Sequence, residues 1–322
     1  MTAIRIGGFD YFDRTGPLIR HEVEVDGLQY DYTTLTAPEL GRRLFLEAEF
    51  DAGELWSASQ VCATAAGTAG YIAIPVFPSR NFRHGFVFVH RDSDITQPEQ
   101  LAGRRVGVVE YVQTAAVWIR GFLQHDFGVS PSDVRWVSTR QRTHAAVDPP
   151  AGLDLTFAPD DRPIQQLLFD GDVDAIIGAF DHRRVLAGPA RRLFAEPRNQ
   201  ELDYYRRTGA YPIMHMVGIR RDVYQRRPSI ATDLMTLYEQ AKALGQQRLR
   251  RTSALAVSLP WLEDHLTDTA AVFGGDPFVY GLQPNLTTLR LLTQYVHEQG
   301  LTDRLVAPEE LFAPETLDIR AD

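Results

Sequence analysis

The 322-residue chain contains one cysteine, Cys62, and one lysine, Lys242. A single cysteine excludes an intramolecular disulfide and a thiolate metal cage. No two of the nine histidines fall at the helical spacing of a zinc enzyme. No apolar run is long enough to span a bilayer. The N-terminus, MTAIRIGGFDYFDRTG, has no charged n-region followed by an apolar h-region. Basic charge is in deficit: 33 Lys and Arg against 42 Asp and Glu give a net charge of −9. That balance argues against a nucleic-acid groove or a polybasic membrane patch. The expectation is a cytoplasmic protein with no nucleic-acid or membrane partner; a homo-oligomer stays open.

What remains is an ordinary globular composition, 44% hydrophobic and 23% charged, in a chain long enough for two lobes. Strands alternate with helices over the first hundred residues. Strands are expected at Ile4–Phe9, Gly27–Leu35 and Ile72–Phe77, and helices over 38–50 and 60–69. A second unit follows, with strands at Val106–Val109 and Val134–Val137 and a helix from about Gln113 to Phe127. A loop rich in Pro, Asp and Gly (148–163), the helix Ile164–Phe169 and the strand DVDAIIGAF come next. The strand Pro212–Arg220 leads back to the first unit, and helices are expected around 230–251, 253–266 and 285–299. This alternation predicts an α/β fold with mixed sheets covered by helices. The division expected is residues 1–92 with 213–322 as one lobe and 93–212 as the other.

One stretch resists this reading. In IPVFPSRNFRHGFVFVHR, residues 74–91, two apolar runs flank Arg80, Arg83 and His84. A tight hairpin would carry Gly, Asn or Asp at its tip, not two guanidiniums and an imidazole.

That stretch also carries a resemblance. The strings IPVFPSRNFRH, GVVEYVQTAAVW, YYRRTGAYPIMHMVGIRRDVY, LPWLEDH, HEQGL and ELFAPETL, with Asp13–Thr15, resemble the 4,5-dihydroxyphthalate decarboxylase family along nearly the whole chain. The resemblance implies the bilobal fold of type 2 periplasmic binding proteins, with a cleft between two α/β lobes. It implies conversion of 4,5-dihydroxyphthalate to 3,4-dihydroxybenzoate and carbon dioxide, with no organic cofactor; no residue is assigned as a metal ligand, and whether a divalent ion assists stays open. Three segments depart from the family pattern. Val109 stands where a Pro is usual, and Phe278-Val279-Tyr280 replaces Trp-Pro-Tyr. Gly178-Ala179-Phe180-Asp181 replaces an Arg-bearing segment at a strand end.

In such a fold the ligand lies at strand-end loops and helix N-termini. Arg80 and Arg83 are candidate carboxylate clamps, the guanidinium fork matching a carboxylate in bidentate fashion, and Arg14 is another. Ser57, Ser59 and Thr114 offer hydroxyls near helix starts, and Tyr111 a ring to stack on an aromatic acid. Loss of a ring carboxylate leaves an aryl carbanion unless the carbon is protonated first, so the site needs an acid near that carbon. A base near the phenol completes the set. His84 and His215 are the candidate acids, His215 favoured for lying where the chain recrosses between lobes. Glu110 or Glu54 is the candidate base, or the acid if burial raises its proton affinity. Two rival readings share the fold: a solute-binding protein for an aromatic acid, and another cytoplasmic enzyme such as a chorismate dehydratase-like or natural-product decarboxylase.

Overall fold

The computed structural model describes residues 3–139, 147–159 and 162–319. Eleven strands are described: β1 Ile4–Gly8, β2 Tyr30–Thr34, β3 Ala52–Trp56, β4 Tyr71–Arg80, β5 Val87–His90, β6 Arg105–Val108, β7 Arg135–Ser138, β8 Leu155–Phe157, β9 Ala175–Ile177, β10 Ala190–Arg192 and β11 Ile213–Arg220. They form two mixed sheets. The first runs β2-β1-β3-β11-β4 and the second β10-β5-β9-β6-β7-β8. Within the first sheet β1 pairs parallel with β2 and β3, while β11 runs antiparallel to β3 and β4. Because β11 is reversed, its start lies at the same edge as the carboxyl ends of β1 and β3.

The expected division placed residues 87–90 with the first unit. The structure instead pairs β5 with β9 and β10 in the second sheet, so the chain crosses earlier, between Arg80 and Val87. The helix Leu286–Glu298 also bridges. Its Tyr295 packs edge-on against Trp118, with ring centroids 5.5 Å apart. Just beyond the helix, Gln299 donates to Val117 O at 2.8 Å. These partners lie on the helix Thr114–Phe127, which is buried almost all round from Thr114 to Leu123. Each fully buried Leu or Ile of such a core contributes about 1.5–3 kcal/mol.

Elements differ from the sequence reading where side chains from elsewhere capture backbone groups. The helix expected over 38–50 is α-helical only at Ala37–Leu40, then π-helical at Gly41–Leu46. Tyr71 donates to Leu44 O at 3.0 Å and Arg220 to Ala48 O at 3.0 Å, so the terminal carbonyls are satisfied without another turn. Within that expected span, Ala48 sits at φ 48. The helix expected at 253–266 begins only at Leu262 and runs to Phe273. Trp261, at its boundary, is 75% exposed. The loop read over 148–163 contains β8, and its residues 160 and 161 lie outside the described ones. The Tyr204–Arg207 run lies at the end of a helix over Pro197–Thr208, with Tyr204 buried.

Strand β4 explains its own two prolines. Opposite His215 stands Ser79, but opposite Val217 stands Ile74, so the residues between are bulged out of register. Pro75 and Pro78 fall in that bulge, where no ladder N–H is required. The freed Pro75 carbonyl accepts from Gly281 N at 2.8 Å. The bulge re-aims the strand end at the edge where the functional residues gather.

Candidate active site

A cavity of about 250 Å³ opens between the two sheets. From the first sheet come Phe9 after β1, Trp56 at the end of β3, Ser79 on β4 and Met214 and His215 on β11. From the second come Val109 and Glu110 after β6, Gln113 and Thr114 at the following helix start, and Ala179 after β9. This is the carboxyl-end position expected of a ligand site in open α/β sheets.

Glu54 is 1% exposed and holds three donors. Its Oε1 lies 2.7 Å from His215 Nδ1 and accepts from Tyr11 OH, also at 2.7 Å. Its Oε2 accepts from Phe9 N at 3.3 Å. A carboxylate offers acceptors only, so Nδ1 carries the hydrogen and Nε2 is the nitrogen left for the cavity. Phe9 stacks on the imidazole at 5.6 Å between ring centroids and fixes its plane. The arrangement can present Nε2 to a bound molecule as acid or base.

The three cations of residues 80–84 go to three different places. Arg83 lines the cavity. Its Nε donates to Met214 Sδ at 3.2 Å, its guanidinium lies 4.7 Å from the Phe86 ring, and burial lowers its pKa to about 10. Among the described residues no carboxylate lies within ion-pair distance of it. Arg80 turns away: its guanidinium donates to Val279 O at 3.0 Å and to Asn285 Oδ1, tying β4 to the segment before the helix Leu286–Glu298. His84 lies outside the cavity lining, stacked on Phe122 at 4.0 Å and against Phe194 and Tyr204.

The other candidates divide similarly. Glu110, Ser59 and Thr114 line the cavity. Thr114 Oγ1 accepts from Ala58 N at 3.2 Å, joining the starts of the helices Ser57–Ala65 and Thr114–Phe127 across the two halves. Ser57 is fully buried and is not in the lining. Tyr111 is buried against Trp136 and beneath the Arg120 guanidinium at 3.8 Å, and also lies outside it. Arg14 lies 4.0 Å over the Phe278 ring and 3.5 Å from Asp13, away from the lining. Sequence reasoning missed Phe9, Tyr11, Trp56, Ser79, Gln113 and Met214. Gln113 clamps the segment that departs from the family pattern: Ala179 N donates to its Oε1 at 2.8 Å and its Nε2 to Ala179 O at 3.2 Å. Gly178 sits there at φ 125, and a Cβ would fall 2.4 Å from Gln113 Oε1. Arg83 is the one arginine among the described lining residues.

Two expected results follow from residues outside the cavity. Arg80→Met should cost about 1.5–3 kcal/mol of stability, the worth of a hydrogen bond to a charged group, with ligand affinity unchanged. Thermal melts and binding isotherms check this; weaker binding at unchanged stability would put Arg80 on the ligand instead. For His84, burial lowers the folded-state value from 6.5 to about 4. Between those values the unfolded chain binds the extra proton, so stability is lost as pH falls from about 6.5 through 4, by roughly 3 kcal/mol in all. His84→Phe keeps the stack and should flatten that fall in melting temperature between pH 7 and 4.5. Equal falls in both proteins would remove His84 from the acid response.

Two mixed sheets with a ligand cavity at their facing strand ends define the two-lobed architecture of periplasmic-binding-type proteins. The fold matches the periplasmic aliphatic sulphonate binding protein SsuA from Escherichia coli, with a TM-score of 0.57 at 14% identity, covering 98% of this chain and 99% of that one. It also matches the Candida albicans CA3427 gene product, described as having the generic periplasmic binding protein fold, with a TM-score of 0.55 at 12% identity over 100% and 99% of the two chains. By sequence the chain is 37% identical over 319 residues, 95% of each protein, to the 4,5-dihydroxyphthalate decarboxylase of Comamonas testosteroni. The chain belongs to the 4,5-dihydroxyphthalate decarboxylase family. No family model matches it.

Proposed function

We propose that this protein is a carboxy-lyase that converts 4,5-dihydroxyphthalate to 3,4-dihydroxybenzoate and carbon dioxide. The observation that carries the reading is one cavity shared by a carboxylate-held imidazole, His215, and a buried guanidinium without a carboxylate partner among the described residues, Arg83. The first suits proton transfer to a ring carbon and the second suits a substrate carboxylate. Phe9, Trp56, Val109 and Met214 give the cavity apolar walls for an aromatic ring.

In this reading Arg83 anchors the carboxylate that is retained. The hydroxyl para to the other carboxylate releases electron density into the ring, and Glu110, on the cavity wall, takes up the hydroxyl proton. His215 Nε2 delivers a proton to the carbon bearing the leaving group. The C–C bonding pair returns to the ring as carbon dioxide departs, aromaticity is restored, and Glu110 gives its proton back to the ring oxygen. Net, one proton is consumed per turnover. Because Nδ1 is committed to Glu54, Nε2 regains its proton from the cavity side.

The direct test is to incubate the protein with 4,5-dihydroxyphthalate and follow carbon dioxide and 3,4-dihydroxybenzoate. Tight binding with no carbon dioxide released would favour a solute-binding role. Among the described residues no helix is long and apolar enough to cross a membrane. Cytoplasmic residence is part of the same proposal, and recovery of the protein in the periplasmic fraction of its source cells would count against it.

A further inference from the structure

Tyr11 was not singled out by the sequence, yet the first loop is built around it. Its carbonyl accepts from the backbone N–H of Arg14, Thr15 and Gly16 at 2.9–3.0 Å. Its own N–H donates to Thr15 Oγ1 at 2.8 Å, and that hydroxyl donates to Phe9 O at 2.7 Å. From behind, Gly245 on the helix Ile230–Leu249 approaches so closely that a Cβ there would lie 2.3 Å from Asp13 O. The loop is therefore fixed from both sides, and the phenol is aimed at one oxygen of Glu54.

That oxygen is the one that faces His215. Oε1 takes Tyr11 OH and His215 Nδ1 at the same distance, 2.7 Å. Burial, with the charge of Glu54 second, keeps the Tyr11 phenol well above its ordinary value, so it stays protonated and donates. Ser79 stands beside the Tyr11 phenol and lines the cavity. The charged and titratable groups around the dyad are few. Tyr11 and Arg14 come from the first loop, Tyr32 from β2 and Tyr238 from the helix behind the sheet. Arg83 and Glu110 share the cavity.

We infer that Tyr11 is a positioning residue that sets how firmly His215 holds its proton, by sharing the negative charge of Glu54 Oε1. The inference rests on His215 being the proton donor of the proposed reaction. Removing the phenol hydroxyl concentrates charge on Oε1 and strengthens its hold on the imidazolium, so a stronger base but a weaker acid results.

The test compares Tyr11→Phe with Tyr32→Phe. Tyr32 OH lies in the same neighbourhood but donates to Phe9 O at 2.9 Å and not to Glu54. In Tyr11→Phe the imidazole NMR titration of His215, assigned by its loss in His215→Gln, should move upward by about one pH unit, the effect of one charge-assisted hydrogen bond. The alkaline limb of the kcat profile, where the acid form is lost, should move with it. Plateau kcat should fall about tenfold at unchanged KM, since a more tightly held proton transfers more slowly. Tyr32→Phe should move neither limb nor resonance. If Tyr11→Phe fails to fold, Tyr11→Met repeats the measurement. An upward NMR shift in a protein that releases no carbon dioxide would uphold the coupling and overturn the decarboxylase reading. An unmoved His215 titration in an active enzyme would overturn the inference.

Discussion

Replacing His215 with Gln is expected to leave binding of the aromatic acid nearly unchanged while lowering kcat by about 10²–10⁴-fold, the usual contribution of general acid catalysis. The geometry makes the separation clean. Glutamine keeps an N–H that can reach Glu54, so the buried carboxylate is not stranded, but it has no transferable proton at the place of Nε2. Single-turnover kinetics beside equilibrium binding is the appropriate measurement, because KM equals the dissociation constant only when chemistry is slow. A loss seen mainly as raised KM would make His215 an anchor. Near-normal turnover would move the acid to Glu110, the carboxyl group of the cavity lining.

How much of this was legible in the chain can be judged residue by residue. The alternation of strands and helices was visible because period-2 and period-3.6 patterns follow directly from which face is buried. The end of the helix begun at Ala37 was not, since it depends on Tyr71 and Arg220 reaching carbonyls from strands 27 and 172 residues away. The same holds within the site. His215 could be proposed because it lies where the chain recrosses, and Glu54 because its stretch fits a strand end facing a cleft. Their pairing spans 161 residues and appears only when β11 lies antiparallel beside β3. Tyr11 lay in a stretch read as cleft-facing, but nothing in the string FDYFDRT singled it out from its neighbours.

The Arg80–Arg83–His84 cluster shows the limit from the other direction. Three polar residues within five positions look like one site, yet they serve three environments. A bulge upstream and a 3-10 turn at His84–Phe86 rotate each side chain differently. Arg80 found Asn285 and His84 found aromatic rings, both partners far away in sequence. Sequence proximity therefore grouped three residues of which the fold places one, Arg83, on the cavity lining.

Arg83→Met should weaken binding of the dicarboxylate by about 1.5–3 kcal/mol, or roughly 10- to 150-fold, the range for hydrogen bonds to charged groups. Stability should move the other way or not at all. A guanidinium only 8% exposed, with no carboxylate within ion-pair distance among the described residues, is a desolvated charge that the ligand-free protein carries at a cost. Burial already lowers its pKa to about 10, which expresses that cost. Methionine matches the stem, fills the space beside Met214 and Phe86, and removes the charge, leaving the lost contact to the Phe86 ring as the main offset. Arg83→Lys should keep the charge but lose the planar fork, giving an intermediate loss of affinity. The combination of weaker binding with an unchanged or higher melting temperature is the signature of a residue strained for its ligand. A drop in melting temperature with affinity intact would instead make Arg83 a structural cation, and the carboxylate anchor would have to be sought elsewhere in the cavity wall.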